Sequence, residues 1–142
     1  MSDAKLSPVL KATVAERAHR CCEYCRAQER YSPDSFSIEH IIPVSKGGSS
    51  ELSNLALACQ GCNNRKYTSI RARDPVTQKM FPLYHPRQQN WIKQFAWNQD
   101  YSEILGLTAI GRATVAKLSL NRLGLVNLRR ILYNLGEHPP AF

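Results

Sequence analysis

Cys22-Glu23-Tyr24-Cys25 and Cys59-Gln60-Gly61-Cys62 are two C-x2-C pairs with 33 residues between them. Each pair forms a tight knuckle that aims two sulfurs at one centre. Two such knuckles fit a four-thiolate zinc site, with Cys22, Cys25, Cys59 and Cys62 as ligands. The connecting segment is longer than in the simplest zinc ribbons, so it must itself be folded. Cys21 is the spare. A register pairing Cys21 with Cys25 has x3 spacing and stays open as an alternative. Five cysteines cannot pair completely within the chain. The polar start, Met1-Ser2-Asp3-Ala4-Lys5, has no apolar h-region of a secretory signal. A reducing, cytoplasmic setting is therefore expected, and disulfides are disfavoured there.

The segment between the knuckles carries the chemistry. It holds Glu39-His40-Ile41-Ile42-Pro43, Gly47-Gly48 and Ser53-Asn54-Leu55, and Asn63 and Lys66 follow the second knuckle. Taken singly, His40 reads as a satisfied histidine near a strand end, Glu39 as a solvated strand residue and Asn54 as a turn residue. Together they supply what a metal-dependent phosphodiesterase needs. The Glu39 carboxylate and the Asn63 amide carbonyl are hard oxygen donors suited to Mg²⁺ or Mn²⁺. His40 is a base with a pKa near neutrality. Successive strand residues face opposite sides, so Glu39 and His40 share a site only near a strand end or bulge. Pro43 and the glycines that follow are consistent with such an end.

In their order and spacing these residues resemble the zinc-bearing form of the HNH endonucleases. The resemblance rests on Cys22-x2-Cys25, Glu39-His40-Ile-x-Pro43, Gly47-Gly48, Asn54-Leu55 and Cys59-x2-Cys62-Asn63-x2-Lys66. It implies an α+β fold built on a small ββα-metal finger clasping one catalytic divalent ion. By the same resemblance His40 is the general base, and Asn54 braces the loop that aims it. Glu39 and Asn63 bind the catalytic ion. Many members have Asp where this chain has Glu39, and Asn63 stands where others have His. The implied reaction is hydrolysis of a DNA phosphodiester to 5′-phosphate and 3′-hydroxyl ends. The implied zinc is structural, because four thiolates leave no open position for water.

Outward from this core, the whole chain has 142 residues and a net charge of +8, with a sequence pI near 9.5. That charge suits a polyanion, and DNA is the expected partner. Arg65, Lys66, Arg71 and Arg73 are candidate phosphate contacts, on an exposed basic helix expected from Asn63 to about Arg71. No apolar run is long enough to span a bilayer, so no membrane role is expected. Ser7-Pro8 reads as a helix N-cap and first position, opening an amphipathic helix through Ala18. Phe36–Ile42 and Asn54–Ala58 read as short strands. Residues 75–90 read as an extended connection, and Trp91–Trp97 as a core strand pairing with Tyr101–Leu107. Thr108 reads as a cap for one or two helices to Asn134, interrupted near Gly124. The organisation expected is a nuclease core with its N-terminal helix over residues 1–74. A C-terminal hairpin and helical extension over 75–142 is expected to pack on it. Oligomeric state leaves no mark in the sequence.

Two other functions compete. A non-catalytic, zinc-stabilised nucleic-acid-binding module would use the same basic face. It has no reason to keep Glu39-His40 together with Asn63. A redox or metal-handling protein would use the C-x2-C pairs, but it lacks a βαβ context here and has a hydrolytic motif between the pairs.

Overall fold

The computed structural model describes residues 6–142, which fall into two units. The first runs to Ile70 and takes in His85–Gln88; the second holds Arg71–Tyr84 and Gln89–Phe142. The expected helix 1 (α1) spans Pro8–Arg17, and the Ser7 hydroxyl caps it by accepting from the Leu10 amide at 3.1 Å. Proline at the first helical position costs nothing there, because its missing N–H would have had no intrahelical partner.

Strands β1 (Ser37–His40) and β2 (Leu55–Ala58) pair antiparallel, with Glu39 opposite Ala56 and His40 opposite Leu55. All four residues of β2 are buried, so it reads as a continuous apolar run and not as an alternation. Helix α2 follows at Gln60–Lys66. Strand, strand and helix thus form the ββα unit that the sequence implied. The expected basic helix is displaced: it begins at Gln60, where the Cys59 sulfur caps it, and stops at Lys66.

The α1 end is tied to this unit by Arg17. Its guanidinium donates to the carbonyls of Leu52 at 3.0 Å and Leu55 at 2.6 Å. The first knuckle docks on β2 like an extra strand. The Glu23 amide donates to the Leu57 carbonyl at 2.9 Å, and the Leu57 amide returns a bond to the Glu23 carboxylate at 2.9 Å. Arg87, from the returning segment His85–Gln88, pairs with that same carboxylate. A carboxylate that is only 8% exposed needs this cation.

The second unit opens with a hairpin that the sequence reading missed. Strands β3 (Arg71–Arg73) and β4 (Met80–Pro82) pair antiparallel, where a helix end and an extended connection were expected. Asp74 closes the turn by accepting from the amides of Val76 and Thr77. Trp91–Gln94 forms a short helix (α3), not the start of a strand. Strand β5 (Phe95–Trp97) then pairs with β6 (Ile104–Gly106), within the strand pair expected from Trp91–Trp97 and Tyr101–Leu107. Helix α4 (Ala109–Leu118) is capped by Thr108, whose hydroxyl accepts from Gly111 at 3.0 Å. Helix α5 covers Leu123–Asn134. The break between them is at Ser119, in the left-handed region at φ 50°, and Gly124 is an ordinary residue of the first turn of α5. Among the described residues no helix is long and apolar enough to cross a membrane.

Candidate active site and cysteine cluster

The sulfurs of Cys22, Cys25, Cys59 and Cys62 lie within 4.8 Å of one another, and all four residues are buried. Zn–S bonds of about 2.3 Å place tetrahedral ligands about 3.8 Å apart. The Cys25 and Cys59 sulfurs are 3.6 Å apart, far beyond a disulfide and close to that edge length. Both knuckles close in the same way. The Cys25 amide points at the Cys22 sulfur at 3.5 Å, and the Cys62 amide at the Cys59 sulfur at 3.4 Å. Hydrogen bonds from the other three thiols pull the Cys59 thiol far down, and burial pushes Cys22 well up. Four buried thiolates this close repel one another, and a divalent cation among them offsets that charge. The donor set therefore fits Zn²⁺. Cys21 stands apart, with its sulfur 3.4 Å from the His19 carbonyl and its thiol pushed up to about 11 by burial.

A cleft of about 520 Å³ lies on the ββα unit, lined by Glu39, His40, Pro43, Val44, Ser45, Asn63, Asn64, Tyr67 and Thr68. His40 is the last residue of β1. That end position lets it share the cleft with its strand neighbour Glu39. The His40 Nε2 lies 2.8 Å from the Ser50 hydroxyl. Its Nδ1 is buried and has no hydrogen-bond partner among the described residues. Burial lowers the His40 pKa, because the cationic ring is poorly solvated. When Nε2 donates to Ser50, Nδ1 carries a free lone pair.

Asn54 ties the loop beside His40. Its carbonyl oxygen accepts from the Ile42 amide at 2.8 Å, and its Nδ2 donates to the carbonyls of Ile42 at 3.0 Å and Ser49 at 2.7 Å. The loop passes so close that a Cβ on Gly48 would sit 1.7 Å from the Ile42 carbonyl oxygen. Only glycine fits that approach.

Glu39 is 3% exposed. One carboxylate oxygen accepts from the Tyr24 hydroxyl, and the other lies 3.4 Å from the Lys66 ammonium. Burial pushes the Glu39 carboxyl up, and Lys66 and Tyr24 pull it back. Asn63 sits on α2 and lines the cleft.

Lys66 corrects an expectation. It is 1% exposed, and its Nζ donates to the Ile41 carbonyl at 2.8 Å besides facing Glu39. It is an internal counterion and has no access to an external phosphate. Arg65 is exposed on α2 and bonds the Gly61 carbonyl at 3.2 Å. Arg71 and Arg73 are exposed on β3 in the second unit, each with its guanidinium on a backbone carbonyl of the hairpin, Met80 and Gln78.

Tyr24, Ser50 and Lys66 are the site residues whose positioning work the sequence reading missed. Tyr24 lies inside the first knuckle, and the C-x-x-C turn that presents two sulfurs also turns this ring inward, where it is 1% exposed. Tyr67 was also passed over. It ends α2 at φ 49°, ψ −120°, and the Ser69 amide closes a turn onto the Lys66 carbonyl at 2.9 Å. That conformation belongs to the first central residue of a mirror-image turn, a place for glycine. It costs a residue with a Cβ about 1–3 kcal/mol.

Residues 22–69 match the family model described as HNH endonuclease. The match covers about a third of the chain, beginning at the first cluster cysteine and ending just beyond α2. This segment is an HNH domain, as the ordered motifs implied. No curated protein and no solved structure matches the chain. An HNH domain points to nuclease activity in general and to nucleic acid as the substrate.

Proposed function

We propose that the protein is a metal-dependent DNA endonuclease that hydrolyses phosphodiester bonds, with His40 as general base. The observation that supports this most is the buried, unpartnered Nδ1 of His40, in a cleft shared with Glu39 and Asn63. A buried ring nitrogen left without a partner is costly in a purely structural site. A water attacking a bound phosphate would be that partner.

In this mechanism His40 takes the proton of the attacking water at Nδ1, while Ser50 holds the opposite edge of the ring. Asn54 fixes the loop from Ile42 to Ser49, which keeps the strand end and the imidazole from drifting. Glu39 and Asn63 offer a carboxylate and an amide oxygen, the donor chemistry that suits Mg²⁺ or Mn²⁺. Such an ion, when bound, supplies charge stabilisation at the reacting phosphate. Tyr24 and Lys66 hold the Glu39 carboxylate in one orientation. Arg65 on α2 meets the DNA backbone from the first unit, Arg71 and Arg73 are separate phosphate contacts on the second, and zinc, when bound by the cysteine cluster, would hold the first knuckle to the start of α2.

The test is nicking of supercoiled plasmid in Mg²⁺, in Mn²⁺ and with no divalent ion. His40→Ala should lower the rate by about 10²–10⁴-fold, the usual contribution of a general base. Its zinc content and melting temperature should stay at the wild-type values. Full activity in that variant removes His40 from the role. The non-catalytic binding module has one observation in its favour, since both Glu39 oxygens are already engaged inside the protein. It predicts intact plasmid in every metal, with DNA binding retained.

A further inference from the structure

We infer that Tyr67 is a substrate-binding residue whose ring stacks on an unstacked nucleobase beside the scissile phosphate. The inference rests on the nuclease reading above. Three observations carry it. Tyr67 lines the same cleft as Glu39, His40 and Asn63, yet it is 78% exposed. Its ring therefore contributes little to the packing of its own fold. Its backbone occupies a conformation that glycine would adopt without strain, at φ 49° and ψ −120°. An exposed side chain held at a strained position, with no packing return, points to a use outside the fold. Val44, 61% exposed, lines the same cleft, so the mouth carries two open apolar groups above a polar floor.

The loop that carries Val44 is also tied to the turn that carries Tyr67. The Lys46 ammonium, from the loop that carries Val44, donates to the Thr68 carbonyl next to Tyr67 at 2.7 Å. A slot with fixed edges costs little ordering on binding. The flat faces of nucleobases fit it, whatever their sequence.

The experiment measures anisotropy of a fluorescein-labelled single-stranded DNA oligonucleotide, with no divalent ion added so that nothing is cut. Tyr67→Ala and Tyr67→Gly should bind about 5- to 50-fold more weakly, and Tyr67→Phe should match wild type, since a stacked ring needs no hydroxyl. Tyr67→Gly should also melt above wild type, because it relieves the backbone strain while removing the ring. In a scan of abasic sites along the oligonucleotide, wild type should lose affinity at one position to which Tyr67→Ala is indifferent. Equal binding by wild type and Tyr67→Ala overturns the inference, as does an abasic penalty that is the same in both. Wild-type plasmid nicking is measured alongside. If wild type nicks while the Tyr67 variants bind normally, the stacking falls and the nuclease stands. If the abasic pattern holds while no metal supports nicking, the reverse is true.

Discussion

The two units differ in what fills their centres. The first relies on polar and sulfur groups taken out of water in matched sets: four cysteines, Glu23 with Arg87, Glu39 with Tyr24 and Lys66, and Asn54 on its loop. The second is built around rings. Phe95, 1% exposed, has Tyr84 edge-on and Trp91 tilted against it, each at 5.2 Å between ring centres, and Trp97 lies 5.6 Å from Trp91. Ring packing tolerates small shifts, whereas matched polar sets do not. If one partner leaves, the other is stranded in a low dielectric. The unit that carries the cleft has its geometry specified bond by bond, and such networks confer orientation more than stability.

Replacing Cys59 by Ser should break this contrast most severely. Structural zinc is worth about 10–16 kcal/mol of apparent binding free energy in small zinc domains, and there binding free energy is folding free energy. Zinc content should fall, and amide protection across residues 22–69 should collapse in hydrogen exchange. Both tryptophans, Trp91 and Trp97, belong to the second unit. Their emission should stay near native, and a full red shift would show that the units do not hold themselves separately.

Phe95→Ala sharpens the contrast from the other side. Removing this buried ring should cost about 3–5 kcal/mol. The tryptophan-monitored denaturant midpoint should drop while zinc stays bound. Loss of zinc in this variant would contradict the division of labour.

The smallest effect concerns the Asp74–Arg112 ion pair of the ring-built unit. Asp74, fully buried, accepts from the Arg112 Nε and Nη2, each at 2.9 Å, and that guanidinium holds its carboxyl well below the usual carboxylate range. A depressed native pKa adds stability above the unfolded value of about 3.9, and that stability is lost as pH falls below it toward the native value. Acid titration followed by tryptophan emission should show this loss in wild type. Asp74→Asn should be less stable at neutrality and flatter below about pH 4. An unchanged acid profile in the variant would remove Asp74 from that role.

Most of the candidate site was legible, because its signals are local or periodic. The C-x2-C spacing located the four clustered cysteines, the Ser7-Pro8 and Thr108 caps located two helix starts, and Glu39-His40 before Pro43 located the strand end. What escaped was set by contacts distant along the chain. Lys66 reads as a surface cation until Glu39 and the Ile41 carbonyl, 27 and 25 residues earlier, are brought against it. The β3–β4 hairpin alternates over only three residues per strand, with Ala72 alone buried in β3, a run too short to read as a strand. Trp91–Gln94 carries strand-like residues but is helical, since α3 needs only one turn to bring Trp91 and Phe95 into contact. Gly124 looked like the helix break because glycine permits positive φ, yet Ser119 takes that conformation.

The segment His85–Gln88 has a practical corollary for anyone trimming this gene. A fragment ending at residue 70 would encode all five cysteines, the histidine and both asparagines of the cleft, and look complete on paper. It would lack Arg87, whose guanidinium neutralises Glu23 at the joint between first knuckle and β2. The smallest autonomous piece holding the cleft is therefore not a contiguous N-terminal stretch, because its last brace is borrowed from beyond the hairpin.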